Sequence, residues 1–214
     1  MIHPFTFEEN LRTKSVVQMP AYNTYIYLLV ITPTGLASEK IKDIKDDFAV
    51  NYKHSFASST KPHITLAQFM QRELAEEKIV SRFTSIAKTQ SPIKIELKDF
   101  GSFPSHTIFI NVTSKVPLTN LSKALKEAQP LLKYAPGDKP FFLTEPHVTI
   151  ARKLKPWQHE KAWLQFSNSA FSGRFIASKM TLLRRKVDHN KYEHVADFSF
   201  QNESPDATQG NLFG

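Results

Sequence analysis

Apolar residues recur along this chain at two different spacings, which predict strands and helices respectively. Alternation or short apolar runs predict strands, and apolar residues three or four positions apart predict amphipathic helices. We predict strands at 22–32, 62–67, 93–100, 107–112, 146–151, 178–186 and 192–200. We predict helices at 36–48, 73–89, 118–131 and 157–166. Gly101 is expected to end the third strand in a turn, and Leu74 to belong to the apolar stripe of the second helix.

This order of elements occurs twice. Tyr25 in one early strand precedes His63 by 38 residues, and Ile108 in its counterpart precedes His147 by 39. We therefore predict an α+β fold with two pseudo-symmetric lobes of mostly antiparallel sheet and outer helices. The lobes are expected at about 21–105 and 106–201, with exchange of strands between them left open. Residues 1–20 are expected to form a leading arm, and the polar residues 202–214 a disordered tail.

One short stretch occurs in both predicted lobes, as Pro62-His63-Ile64-Thr65-Leu66-Ala67 and Pro146-His147-Val148-Thr149-Ile150-Ala151. Proline, histidine, threonine and alanine recur at identical offsets. On a strand, residues two apart point to the same face, so each copy presents an imidazole and a hydroxyl together. We expect the two motif strands to face one another across a central groove.

Two imidazoles across a groove can act as a matched acid and base, because the unperturbed pKa of histidine lies near neutrality. Threonine hydroxyls can donate to phosphate oxygens and stabilise the charge that develops there. This combination suits in-line attack at a phosphodiester and requires no metal. The catalytic candidates are His63, Thr65, His147 and Thr149.

The charge of the chain favours an anionic partner, because 28 lysines and arginines against 20 acidic residues give a net charge of +8. The absence of cysteine excludes disulfides and cysteine-based metal or redox sites, and fits a reducing compartment. The longest apolar run, at 25–31, is too short to span a bilayer, and the N-terminus lacks a signal-peptide pattern. A cytoplasmic protein without membrane contact, more readily a monomer, is expected.

The paired motif and the repeated strand order resemble the two-histidine (2H) phosphoesterase superfamily. Within it, the likeness is to the bacterial 2′-5′ RNA ligase and RNA 2′,3′-cyclic phosphodiesterase branch, over about 21–201. The resemblance implies hydrolysis of a 2′,3′-cyclic phosphate, on an RNA terminus or a nucleotide, to a 2′-phosphate without a cofactor. It also implies that His63 is the acid, His147 the base, and Thr65 and Thr149 phosphate ligands. A pseudo-symmetric site can run in either sense, so this division of roles stays open.

Two arginines are candidates for binding substrate. Arg152 matches a basic residue that often follows the second motif in this family. Ideal alternation would point Arg152 away from His147, so it reaches the groove only if the strand ends or bulges. Arg184 belongs to a basic run that could steer phosphates or could protect a sheet edge. Alternation places Arg184 and Arg185 on opposite faces.

Three other functions are weighed against hydrolysis. A zinc site is disfavoured, because each His-x-Thr supplies one nitrogen and no carboxylate or cysteine stands at ligand spacing. A binding module for RNA or nucleotides without turnover would show salt-dependent affinity and no product. ATP-independent 2′-5′ joining of RNA by the same pair of histidines is the third. The chain has no phosphate-binding loop of the kind that an ATP-driven ligase would use.

Overall fold

The structure is a computed structural model that describes residues 23–104 and 106–202. The arm predicted at 1–20, and the predicted tail from residue 203 onward, lie outside the described residues. The strands are β1 Thr24–Ile31, β2 Ile64–Arg72, β3 Ile93–Phe103, β4 Thr107–Val112, β5 Phe141–Phe142, β6 His147–Ala151, β7 Ser172–Ala177, β8 Lys179–Lys186 and β9 Glu193–Ser199. The α-helices are α1 Gly35–Asn51, α2 Phe56–Ser59, α3 Glu76–Lys88, α4 Lys115–Leu125, α5 Gln129–Leu132 and α6 Pro156–Phe166. Single 3₁₀ turns at Glu73–Ala75 and Lys126–Ala128 precede α3 and α5.

The strands form one sheet in the order β7-β3-β4-β6-β2-β1-β8-β9, with β5 beside β2, and its strand pairs are antiparallel. The predicted α+β class is confirmed. The motif strands β2 and β6 meet at the centre, each with three further strands beyond it. The two halves of the sheet do not follow the two halves of the chain. Strand β3 lies beside β4 in the half that contains β6, whereas β8 and β9 lie beside β1 in the half that contains β2.

The hydrophobic core lies between the sheet and the helices, with α1 packed against β6 and β7 and α3 against β9. Ile41 and Phe48 of α1 and Phe83 of α3 stand at helical spacing and are almost completely buried. Burial of each such side chain stabilises the fold by about 1.5–3 kcal/mol. This packing fixes the sheet from one side and leaves its other face to carry polar groups.

Several local predictions were wrong for identifiable reasons. Gly101 lies inside β3 rather than in a turn, and an added Cβ there would stand 2.4 Å from the ring of Phe109. The glycine therefore permits close packing between β3 and β4. Leu74 is 70% exposed because the chain forms a 3₁₀ turn there before α3 begins. Strands β5 and β7 and the short helix α2 were missed. Two and four residues are too few to show a period in β5 and α2, and β7 begins with Ser172 and Gly173 instead of an apolar alternation.

Candidate active site

The two His-x-Thr motifs lie side by side because β2 and β6 pair antiparallel, with Ile64 opposite Val148. Both of these aliphatic side chains are fully buried on the helix side of the sheet. Residues one position before and after such a pair point to the other face. The four polar motif residues therefore share that face as two reciprocal pairs, Thr65 opposite His147 and His63 opposite Thr149. All four are half-buried.

Both imidazoles are held in the same way by the backbone two residues earlier. The Nδ1 of His63 lies 2.8 Å from the carbonyl oxygen of Lys61, and the Nδ1 of His147 lies 2.8 Å from that of Glu145. A carbonyl oxygen can only accept a hydrogen bond, so Nδ1 carries the proton and donates it. In each ring Nε2 is thus the nitrogen that can take or give a proton in a reaction.

The electrostatic surroundings of the two histidines differ. Burial, the positive charges of Lys45 and Arg152, and the neighbouring His147 lower the pKa of His63 to about 4, against the opposing hydrogen bond to Lys61. Burial also lowers the pKa of His147, but its carbonyl partner and the negative charge of Glu145 act in the opposite direction. Positive charge is therefore concentrated at the first motif, where an anion would be stabilised.

An aromatic wall supports the second imidazole. The ring centroid of His147 lies 5.2 Å from that of Phe103 and 5.0 Å from that of Phe109, and the two phenylalanine rings are 4.6 Å apart. Gly101 makes room for Phe109 on the neighbouring strand. The wall fixes the plane of the imidazole and leaves an apolar surface beside it.

The two motif hydroxyls are available to a ligand. Within residues 23–104 and 106–202, neither Thr65 nor Thr149 has a side-chain hydrogen-bond partner. A hydroxyl in such a position can donate to a phosphate oxygen without first breaking another bond.

Arg152 acts electrostatically on His63 of the first motif although it follows the second motif in the chain. Strand β6 ends at Ala151, and the register between β4 and β6 shifts just before that end. A strand end or a bulge was required for the Arg152 side chain to turn toward the groove, and both are found here. The guanidinium lies 5.3 Å from the ring centroid of Phe56, and its charge lowers the pKa of both His63 and Lys45.

Arg184 is not brought to this site. It lies on the opposite face of the sheet from Arg185, as alternation requires. Its guanidinium is 3.0 Å from a carboxylate oxygen of Glu73, 2.7 Å from one of Glu76 and 2.6 Å from one of Glu193. Three carboxylates hold this side chain against the start of α3, so it stabilises the fold.

A basic cavity of about 700 Å³ adjoins the first motif through Arg152. The two imidazoles do not line it. Its described lining includes three cationic and two aromatic side chains, namely Arg152, Lys153, Arg185, Phe56 and Tyr192. The guanidinium of Arg185 lies 5.4 Å from the ring centroid of Tyr192. Basic and aromatic groups that line one cavity suit phosphates and flat rings.

One buried residue of this region was missed from the sequence. Lys45 of α1 lies directly behind the second motif, and its ammonium contacts the backbone of β6. The available signal was its position four residues after Ile41 and three before Phe48, on the apolar face of the helix. A lysine at a position predicted to face the core is unusual.

Neither a metal-binding cluster nor a membrane-spanning helix occurs within residues 23–104 and 106–202. No group of three histidine, aspartate or glutamate side chains there could hold a metal ion. No helix there combines the length and the apolar composition needed to cross a bilayer.

Sequence comparison finds relatives over most of the chain. The sequence model of the 2′-5′ RNA ligase superfamily matches residues 32–189. A provisionally named phosphoesterase of Bacillus pumilus is 31% identical over 157 residues, which are 72% of this chain and 78% of that protein. A second, of Bacillus licheniformis, is 27% identical over 138 residues, 62% of this chain and 74% of that protein.

Structural comparison finds the same fold in several crystal structures. The protein TT0787 of Thermus thermophilus has a TM-score of 0.57 at 18% identity, over 84% of this chain and all of that one. LigT of E. coli, complexed with 3′-AMP, has a TM-score of 0.56 at 14% identity, over 85% of this chain and 99% of that one.

Proposed function

We propose that this chain, which belongs to the 2′-5′ RNA ligase superfamily, is a phosphodiesterase that hydrolyses a 2′,3′-cyclic phosphate to a 2′-phosphate. The observation that carries the proposal is the reciprocal arrangement of the two motifs. Two imidazoles with identical backbone anchors, each opposite a threonine of the other motif, provide two proton-transfer groups and two hydroxyl donors on one face.

The proposed step needs one neutral and one protonated imidazole. A water oxygen attacks phosphorus and loses a proton to the neutral Nε2, while the bond from phosphorus to the 3′ oxygen breaks. The protonated Nε2 gives its proton to that leaving oxygen. The products are a 2′-phosphate and a free 3′ hydroxyl. Family resemblance gives His147 the role of base and His63 that of acid, and microscopic reversibility lets them exchange roles in the reverse reaction.

Charge on the phosphate would be stabilised by Thr65, Thr149 and Arg152. Hydroxyl donors aimed at the non-bridging oxygens and a nearby guanidinium act most strongly where charge develops during attack. The same anion would offset the positive charges that lower the pKa of His63. Substrate binding thereby favours the protonated imidazole that the acid role requires.

The remainder of the substrate would occupy the surfaces on either side of the motifs. The wall formed by Phe103 and Phe109 suits a sugar or base beside His147, and the basic cavity beyond Arg152 suits further phosphates. LigT has been crystallised with 3′-AMP, ATP and NADP⁺, and nucleotide binding is part of our proposal for this chain. An RNA end and a free nucleotide are both compatible with these surfaces.

A second candidate is the ATP-independent joining of RNA through a 2′-5′ linkage, which the name of the superfamily favours. It uses the same two imidazoles, with a ribose 5′ hydroxyl in place of water. The products of the two reactions differ in length, so one gel separates them.

The proposal is tested by incubating the protein with 2′,3′-cyclic AMP and with a short RNA that ends in a 2′,3′-cyclic phosphate. EDTA is present, and a parallel reaction contains an RNA with a 5′ hydroxyl. We expect a 2′-phosphate product that persists in EDTA and is absent with His147→Ala. Longer RNA products would support joining. Binding of both substrates without any product would contradict both reactions and indicate a binding module.

A further inference from the structure

Lys45 is the only charged residue that is buried in the described part of the chain, at 3% exposure. Its ammonium lies 3.0 Å from the hydroxyl oxygen of Thr60, 3.3 Å from the carbonyl oxygen of Thr149 and 3.4 Å from that of Ile150. These three neutral acceptors match the three N–H donors of an ammonium group.

These contacts connect the two motifs from behind the sheet. Thr60 and Lys61 lead into the first motif, and Lys61 supplies the carbonyl that anchors His63. Thr149 and Ile150 belong to the second motif strand. The Lys45 side chain therefore links the segment that precedes His63 with the backbone that follows His147.

The charge of this ammonium is not neutralised by an ion pair. No described carboxylate lies within ion-pair distance of it, and Asp46, which follows it on α1, is bound to Lys42 at 2.6 Å. Arg152, His54 and His63 are the described titratable or cationic groups that act on it from other elements. Burial and Arg152 lower the pKa of Lys45 to about 8, against the effect of Asp46. A buried unpaired charge is costly to the fold, which favours a functional reason for it over a structural one.

A neutral side chain could satisfy the same carbonyl groups. Glutamine, for example, carries two N–H donors and no charge. A purely structural role would therefore not require lysine, and substitution by glutamine separates the hydrogen bonds from the charge.

We propose that Lys45 is a positioning residue of the active site, which holds the two motifs at a fixed separation and keeps a positive charge behind the phosphate. It does not touch the substrate. It acts through the backbone of Thr149 and through its effect on His63. The kinetic consequence rests on the proposed function, whereas the effect on His63 does not.

The test compares Lys45→Gln and Lys45→Arg with Lys40→Gln, a control that removes one charge from an exposed position on the same helix. NMR titration of the histidine rings follows the pKa of His63. We expect that pKa to rise in Lys45→Gln and to be unchanged in the other two proteins. We expect kcat/KM for the cyclic phosphate to fall about ten- to hundredfold in Lys45→Gln and to recover largely in Lys45→Arg.

The outcomes separate this inference from the proposed function. If the wild type is active and Lys45→Gln changes neither turnover nor the pKa of His63, the proposed role of Lys45 is overturned and the proposed function stands. A wild type without turnover, but with the expected shift of the His63 pKa, would overturn the function and support the electrostatic link. If Lys45→Gln does not fold, Lys45→Met replaces it as the variant without the charge, and a His63 pKa equal to that of wild type would again overturn the inference.

Discussion

Ile64 pairs with Val148, and this one backbone pair joins the strand of the first His-x-Thr motif to the strand of the second. Because both side chains point into the core, their neighbours on either side must point away from it. The packing of two aliphatic residues thus sets the mutual position of two histidines and two threonines. The site is therefore an outcome of core packing.

Replacing either motif threonine with valine should lower kcat by about tenfold to a few hundredfold. Valine keeps the branched shape that suits a strand but removes the hydroxyl donor. Thermal unfolding should stay within a few degrees of wild type, because both side chains are only half-buried. Steady-state kinetics and circular dichroism melts of Thr65→Val and Thr149→Val check this, and unchanged kcat in both would exclude the hydroxyls from the reaction.

The value of kcat/KM should fall as the pH rises from about 6 to 8, by up to about tenfold per unit. The reaction needs one protonated imidazole, and in the free protein both histidine pKa values lie below the ordinary one. The free enzyme therefore loses most of that proton below neutrality, and the fraction that stays protonated falls about tenfold per unit as the pH rises further. A bound phosphate anion raises the pKa of His63, so kcat should persist to higher pH than kcat/KM. Two superimposable profiles, or a flat kcat/KM up to pH 8, would contradict this.

Gly101→Ala should destabilise the protein by about 1–3 kcal/mol and also lower kcat. The new Cβ would stand 2.4 Å from the ring of Phe109, which in turn supports His147. Urea unfolding measures the first effect and turnover the second. Adding Phe109→Leu should recover part of the stability by making room, and no recovery would show that the clash is relieved elsewhere.

Arg152→Gln and Arg184→Gln each remove one positive charge. The first should lower activity and spare stability, and the second should lower stability and spare activity. Arg152→Gln should lower kcat/KM by about ten- to hundredfold with little change in stability. Arg184→Gln should leave the kinetics unchanged and lower the free energy of unfolding by about 1–3 kcal/mol, because three carboxylates lose their partner. Steady-state kinetics and urea unfolding of both proteins test this. A loss of activity in Arg184→Gln without a loss of stability would show that Arg184 acts in the active site.

Much of this arrangement could be predicted from the sequence. The α+β class and the family were predicted, and the structure and the family match confirmed them. Most strands and helices were also predicted, with β5, β7 and α2 as the exceptions. These features depend on local periodicity and on a repeat that is visible in the residues themselves. Alternation also placed Arg184 and Arg185 on opposite faces correctly.

The rest depends on which strands pair, and that is decided by packing between distant segments. The sequence could not show that β1 and β8 pair so that Arg185 rather than Arg184 shares a face with the cavity. It could not show that each imidazole is anchored by a carbonyl two residues earlier. Lys45 interrupts an apolar helix face, but only the contact between α1 and β6 reveals what its ammonium binds.

The most direct test of the paired histidines is hydrolysis of a 2′,3′-cyclic phosphate by His63→Ala, His147→Ala and the double variant, with His194→Ala as an exposed control. The account predicts that each single variant loses at least about a thousandfold in kcat and that the double variant is little worse, because the two imidazoles act in one step. His194→Ala should match wild type. A His147→Ala protein with full activity, or losses that add independently in the double variant, would contradict it.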